Sequence, residues 1–162
     1  MLVQTGCAGP LYREEFNLSA PFEAYSHYTA LPQHPFDKGP IDQGLVDALQ
    51  GYLAGSELEP ASQAVPLSRH LVFVLNFDVE AGRRRILALA ANNVRSWTFQ
   101  LRKDADAAQL VAIEVYERQS ANLIYRAEAA RGDSDAETIA QLLSKFPPST
   151  VRTRGLRDAL EG

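Results

Sequence analysis

The chain holds a single cysteine, Cys7. A lone thiol excludes an intramolecular disulfide and a zinc site built on thiolates. Histidine is scarce too: His27, His34 and His70 are scattered, without the His-Glu-x-x-His spacing of a helix-borne metal site. No glycine-rich phosphate loop and no Gly-x-Ser-x-Gly nucleophile elbow occurs. No stretch reaches the roughly 20 apolar residues of a membrane-spanning helix. Internal repeats and low-complexity segments are missing as well. Basic residues are outnumbered, 16 Lys and Arg against 20 Asp and Glu, for a net charge of −4. That balance argues against nucleic acid as a partner, which demands a basic domain carrying groove-reading or stacking motifs.

What remains is the composition of one globular domain: 162 residues, 46% hydrophobic and 22% charged, enough to bury a sizeable core. The charge is unevenly spread. Residues 1–68 carry −6, residues 69–103 carry +5 and residues 104–162 carry −3. The strongest periodic signal lies between Gln109 and Pro148. In Gln109–Glu117, Leu110, Ala112 and Tyr116 alternate with Val111, Ile113 and Val115, the period of a strand buried on at least one side. Leu123–Ala130 is a second such segment, so the two form a β-hairpin. Ser134-Asp135-Ala136-Glu137 then has the spacing of a capping box opening a helix with Ile139, Leu142, Leu143 and Phe146 on one face. Pro147 and Pro148 end it.

Upstream, Glu14–Ala20 reads as a short strand and Tyr25–Leu31 as an aromatic, β-branched one closed by Pro32. Ile41, Leu45, Ala48, Leu49, Tyr52 and Leu53 recur at helical spacing, with Pro40 at the first helical position and Gly55 as a left-handed stop. Pro60 to Pro66 reads as a linker. Leu71–Val79 is the most apolar run and predicts a central strand. Ala81-Gly82-Arg83 then reads as a turn, Arg85–Ala91 as a partner strand, and Val94–Arg102 as a cleanly alternating strand. The expected fold is α+β: one domain over 14–148, a largely antiparallel sheet with helices Ile41–Ala54 and Asp135–Lys145 packed on it. An N-terminal arm, 1–13, precedes it and a tail, 149–162, follows.

The order of these pieces resembles the bacterial "domain of unknown function 4136" lipoproteins over about residues 16–148. The landmarks are Tyr25-Ser26-His27-Tyr28-Thr29-Ala30-Leu31-Pro32, the helix Ile41–Leu53, the segment Leu123-Ile124-Tyr125-Arg126-Ala127-Glu128-Ala129, and the terminal Phe146-Pro147-Pro148. Tyr125-Arg126-Ala127 stands where that family tends to have a Trp-Arg-Gly run. The resemblance implies a domain of the cell envelope, on the periplasmic side of a membrane such as the outer membrane, and no known reaction. It also gives Cys7 a role. Small residues flank it in Thr5-Gly6-Cys7-Ala8-Gly9, as at a lipid-modified cysteine, although Gln4 replaces the usual apolar residue and Met1–Thr5 are too few for a signal segment. The lipoprotein reading therefore expects a start upstream, with Ala8–Arg13 as the tether. Without such a start, Cys7 is a free cysteine and the chain is soluble.

Residues with chemical potential read mostly as structural. Ser68 beside His70 lacks the surroundings of a nucleophile. Asp104 with Asp106, and Asp133, Asp135 and Glu137, are the carboxylate groups able to suggest a metal, but the second set suits a helix N-terminus, where acids complement the dipole. No catalytic residue, metal or cofactor is expected. Arg83, Arg84 and Arg85 stand out as a run suited either to a solvated turn or to contact with anionic headgroups or an acidic envelope partner. Arg126, in a strand, is expected to pair with Glu128 on its own face or with Glu114 across the hairpin, should the register allow it. The function expected is a non-catalytic binding or accessory domain. The alternative is a small soluble ligand-binding protein or enzyme whose site is assembled from sequence-distant residues.

Overall fold

The computed structural model describes residues 12–17, 19–34, 41–77, 79–92, 97–100 and 110–146. Seven strands form one mixed sheet: β1 (Tyr12–Asn17), β2 (His27–Leu31), β3 (Glu59–Pro60), β4 (His70–Asn76), β5 (Trp97–Gln100), β6 (Leu110–Glu117) and β7 (Leu123–Ala130). Their spatial order is β3-β2-β4-β6-β7-β1-β5. Among the described residues three α-helices accompany the sheet: α1 (Gln43–Ala54), α2 (Val79–Asn92) and α3 (Asp135–Leu143).

The central hairpin β6–β7 is antiparallel and forms as its alternation predicts, with one irregularity between Val115 and Tyr116. The pairings of β4 with β6 and of β1 with β7 and β5 are also antiparallel. The pairings of β2 with β4 and with β3 are parallel. A parallel pair requires a crossover, and α1 provides it. The expected strand at Glu14–Ala20 lies instead at Tyr12–Asn17, where it is an inner strand between β7 and β5. Tyr12 and Arg13 thus belong to the sheet rather than to a tether or to an arm ending at 13. The linker before Pro66 contains the two-residue edge strand β3, where Pro60 limits further pairing.

Local chemistry sets the helix ends. Asp42 caps α1 by accepting from the Leu45 amide at 3.1 Å, so the cap lies beyond Pro40, which falls outside the described residues. Gly55 ends α1 at φ −84° and ψ −1°, a right-handed conformation rather than the expected left-handed one. Ser134 Oγ accepts from the Glu137 amide at 3.3 Å, one half of the expected capping box. Arg131 ties the two helix starts together, reaching Asp42 Oδ2 at 2.6 Å and Asp135 Oδ1 at 2.9 Å.

One face of the sheet is apolar. Leu71, Phe73 and Leu75 of β4, Val111, Ile113 and Val115 of β6, and Tyr125, Ala127 and Ala129 of β7 meet Leu45, Leu49 and Leu53 of α1 and Ile139, Leu142 and Leu143 of α3. Just past α3, the ring of Phe146 is the hub of an edge-to-face aromatic cluster. Its centroid lies 5.1 Å from Tyr125, 5.4 Å from Phe73 and 5.9 Å from Phe22. The Tyr125 hydroxyl donates to the Leu142 carbonyl, which satisfies its polar end inside the core.

The largest departure from expectation concerns residues 79–92. β4 ends at Asn76, and the segment read as the end of a strand, a turn and another strand is the single helix α2. Val79, Gly82, Arg83 and Ile86 fall at i, i+3, i+4 and i+7, one helix face. Gly82 and Arg83 at two of these places break the apolar stripe and disguise the period.

Candidate functional site

The sheet face opposite α1 and α3 is built from the alternate residues of the same strands, and several are charged. Register places Val74 of β4, Glu114 of β6, Arg126 of β7 and Glu15 of β1 in one row across four strands. Glu128 lies two residues along β7 from Arg126, opposite Ala112, which in turn pairs with Asn76. Glu15, Asn76, Glu114, Arg126 and Glu128 are all at most 2% exposed. Buried charges on this scale require partners, because an isolated ion in a low-dielectric interior loses its hydration without compensation.

α2 supplies two of the partners. Its Arg83 reaches Glu128 Oε1 through Nε at 2.8 Å and Nη2 at 2.6 Å. Arg85 Nη2 donates to Glu114 Oε2. Between the two carboxylates lies Arg126, with Nη1 2.5 Å from Glu128 Oε2, Nε 3.3 Å from Glu114 Oε2, and Nη2 donating to the Val79 carbonyl at 3.1 Å. The result is an alternating chain, Arg83–Glu128–Arg126–Glu114–Arg85. Glu114 also accepts from Asn76 Nδ2 at 2.6 Å and from the Tyr116 hydroxyl at 2.5 Å. Gly82 permits the close approach of helix to sheet, since a Cβ built there would overlap Nε and Nη2 of Arg126.

The electrostatics follow from these contacts. Burial pushes the Glu114 carboxyl up, but hydrogen bonds from Tyr116 and Arg85 and the charges of Arg85 and Arg126 outweigh it and hold the group below its usual range. Arg83 is pushed above its ordinary value, first by its hydrogen bond to Glu128. Burial disfavours the charge on Arg85, yet Glu114 holds that guanidinium up as well. Burial and the neighbouring Glu114 charge raise the Tyr116 phenol, so it remains a donor. The cluster is thus a set of fixed charges joined to each other. Glu114, with four donors directed at its two oxygens, is poorly placed to act as a general base.

The arginine run is divided by this arrangement. Arg83 and Arg85 turn to the carboxylates, whereas Arg84 is exposed on the outer side of α2. They stand on a helix and not in a turn. Arg126 pairs with both expected partners because the register sets Glu114 directly opposite it and the strand period puts Glu128 on the same face. Cys7, Asp104 and Asp106 lie outside the described residues. Ser68 is exposed in the short turn Leu67–Arg69. Asp135 is occupied by Arg131. His34 faces the Tyr116 ring at a centroid distance of 6.4 Å.

The other two histidines come together, which their sequence separation hides. Parallel pairing sets His27 beside His70 and Glu59 on the other side of His27. His27 Nδ1 lies 2.7 Å from Ser26 Oγ, its Nε2 lies 3.5 Å from Glu59 Oε2, and His70 Nε2 lies 2.7 Å from Thr29 Oγ1. A serine, a histidine and a carboxylate in sequence suggest a triad. Here the serine and histidine are adjacent residues at the start of β2, one strand in from the sheet edge, and the Glu59 side chain is 76% exposed, which is unlike the buried orienting carboxylate a triad needs. Among the described residues no group of three His, Cys, Asp or Glu side chains is arranged to hold a metal, and no helix is long and apolar enough to cross a membrane.

Of the network's members, sequence reasoning found Arg126 with Glu114 and Glu128, and missed Arg83 and Arg85 as their partners. The signal was present: charged residues at alternate positions inside apolar strands demand counter-ions, and the one arginine run stands next in the chain to the central strand. Comparison with protein-family models finds no match, and comparisons with curated proteins and with solved structures find no significant one. The lipoprotein resemblance therefore rests on its sequence landmarks.

Proposed function

We propose that this chain is a binding or accessory domain of the cell envelope, without catalytic activity, held at a membrane by lipid on Cys7. The observation that carries the non-catalytic part is the saturation of Glu114: Asn76, Arg85, Tyr116 and Arg126 all donate to it. Among the described residues, the buried cluster of ionisable groups is spent on fastening α2 to the sheet. The sequence landmarks and the small residues around Cys7 support the envelope address. Lipid chains contribute about 0.8 kcal/mol per buried methylene, so two or three acyl chains would hold the domain firmly. On the bound domain, Arg84 is the member of the arginine run free to face anionic headgroups or an acidic protein partner.

The test is mass spectrometry of the protein isolated from cell envelopes, expressed from a frame extended to an upstream start. Lipid on Cys7 with the preceding segment removed is the expected result. An unmodified Cys7 behind an intact upstream segment would refute the address. A second reading, a soluble ligand-binding protein or enzyme, draws on one observation: Asn76, Arg85, Glu114, Tyr116, Arg126 and Glu128 converge from four elements, as the residues of an assembled site do. Under that reading Glu114→Gln abolishes ligand binding without loss of fold. Under the one preferred here it weakens the docking of α2.

A further inference from the structure

We propose that the row Glu59–His27–His70 is an acid-sensitive seam, in which protonation of His70 loosens the pairing of β2 with β4 and with it the β3 edge. The geometry carries this. His27 and His70 are register partners on neighbouring parallel strands, so their imidazoles share one face and one row. Residue 118 continues the row, since the Arg118 amide donates to the His70 carbonyl at 2.9 Å. Titratable or charged groups therefore meet His70 from both neighbours: His27 from β2 and Arg118 from the end of β6, with Arg69 preceding it in the chain. The one carboxylate of the row, Glu59, lies beyond His27, so His27 stands between it and His70.

The consequences of adding a proton follow directly. Thr29 Oγ1 can donate or accept, so its hydrogen bond to His70 Nε2 survives protonation and the cost falls on charge. Burial chiefly, then the charges of Arg118 and His27, lower the affinity of His70 for a proton below its usual value of 6.5. A loosened chain, with the ring in water, keeps that usual value. The paired seam is therefore fully stable above 6.5 and weakens as pH falls from there through the lowered value. The seam is also small. β3 contributes two residues, and the flanking bonds are those from Ser26 N to Arg69 O, Glu59 N to Ser26 O and Ala61 N to Tyr28 O. A local opening can thus occur without disturbing β6 and β7.

Hydrogen exchange, corrected for the intrinsic pH dependence, tests the seam at about pH 7.5 and about pH 5.5, on either side of the histidine range. The amides of Ser26, Glu59 and Ala61 should lose protection several-fold at the lower pH while those of Arg118 and β7 do not. His70→Gln, which keeps a partner for Thr29 and cannot take a charge, should abolish the difference. Wild-type protein with equal protection at the two pH values would overturn the proposal, as would a Gln variant that loosens equally. Should His70→Gln fail to fold, the ring of His70 can be titrated by NMR in the wild type. A midpoint below 6.5 supports the seam, and one at or above 6.5 overturns it.

Discussion

The two faces of the sheet are covered by different means. On one, α1 and α3 bury leucines, an isoleucine and an aromatic cluster centred on Phe146; on the other, α2 is fastened by Arg83 and Arg85 to carboxylates of the sheet, with Val79 and Ile86 as its buried apolar anchors. Apolar burial is non-directional and scales with area, so it tolerates adjustment. An ionic layer is directional, and it stabilises only while every partner is in place. The comparison teaches that the first face supplies stability and the second specifies how one helix sits.

The largest effect that would break this contrast is expected on the apolar face. Leu143→Asp places a charge among Leu53, Phe73 and Phe146 and should cost several kcal/mol, enough to abolish the cooperative urea transition of a domain with the usual 5–15 kcal/mol of stability. A variant that melts like the wild type would show that this face is not the core. Next is Arg126→Met, which leaves Glu114 and Glu128 buried with one arginine each. Breaking a buried pair from one side costs roughly 3–5 kcal/mol, read as a lowered urea midpoint. A cost under about 1 kcal/mol would mean that the ionic layer is already hydrated.

How much of this contrast was legible in the sequence differs between the faces. The apolar face was readable because Val111, Ile113 and Val115, and Ile139, Leu142 and Leu143, keep uninterrupted periods of 2 and 3.6. The ionic face was not, because its helix places Arg83 where an apolar residue would mark the stripe, and because Arg85–Ala91 is apolar enough to pass for a strand. Register was half legible. The hairpin offered Glu114 as a partner of Arg126 subject to the register, which sets the two opposite each other, whereas the parallel pairing that joins His27 to His70 depends on a crossover that no local signal specifies. The sequence landmarks hold Arg126 and Glu128 but neither Glu114 nor the arginines of α2.

Smaller effects sharpen the comparison. Gly82→Ala forces Arg126 and α2 apart and should cost about 1–3 kcal/mol, the usual penalty for overpacking. Its circular dichroism should show lost helix before the sheet melts; an unchanged transition would mean that α2 does not press on Arg126. Acid acts on the same layer through Glu114. Its carboxyl is held below the usual 4.5, so its contribution is complete above 4.5 and is lost as pH falls through the lowered value. Glu114→Gln should flatten that part of the acid limb of a stability profile, and an unaltered limb would remove Glu114 from the account. Glu80, 69% exposed and paired to Arg83 one turn away, should matter least: Glu80→Ala is expected to shift stability by at most about 0.5 kcal/mol.

Hydrogen exchange on Arg83→Ala tests the central claim most directly. This change removes one tie of α2 to the sheet while leaving Glu128 its bond to Arg126. Amides of α2 should exchange about tenfold faster than in the wild type, as loss of one partly screened charged hydrogen bond implies, while those of α1 and α3 keep their protection. Equal loss in all three helices, or no loss in α2, would contradict the division of the fold into an apolar face and an ionically fastened one.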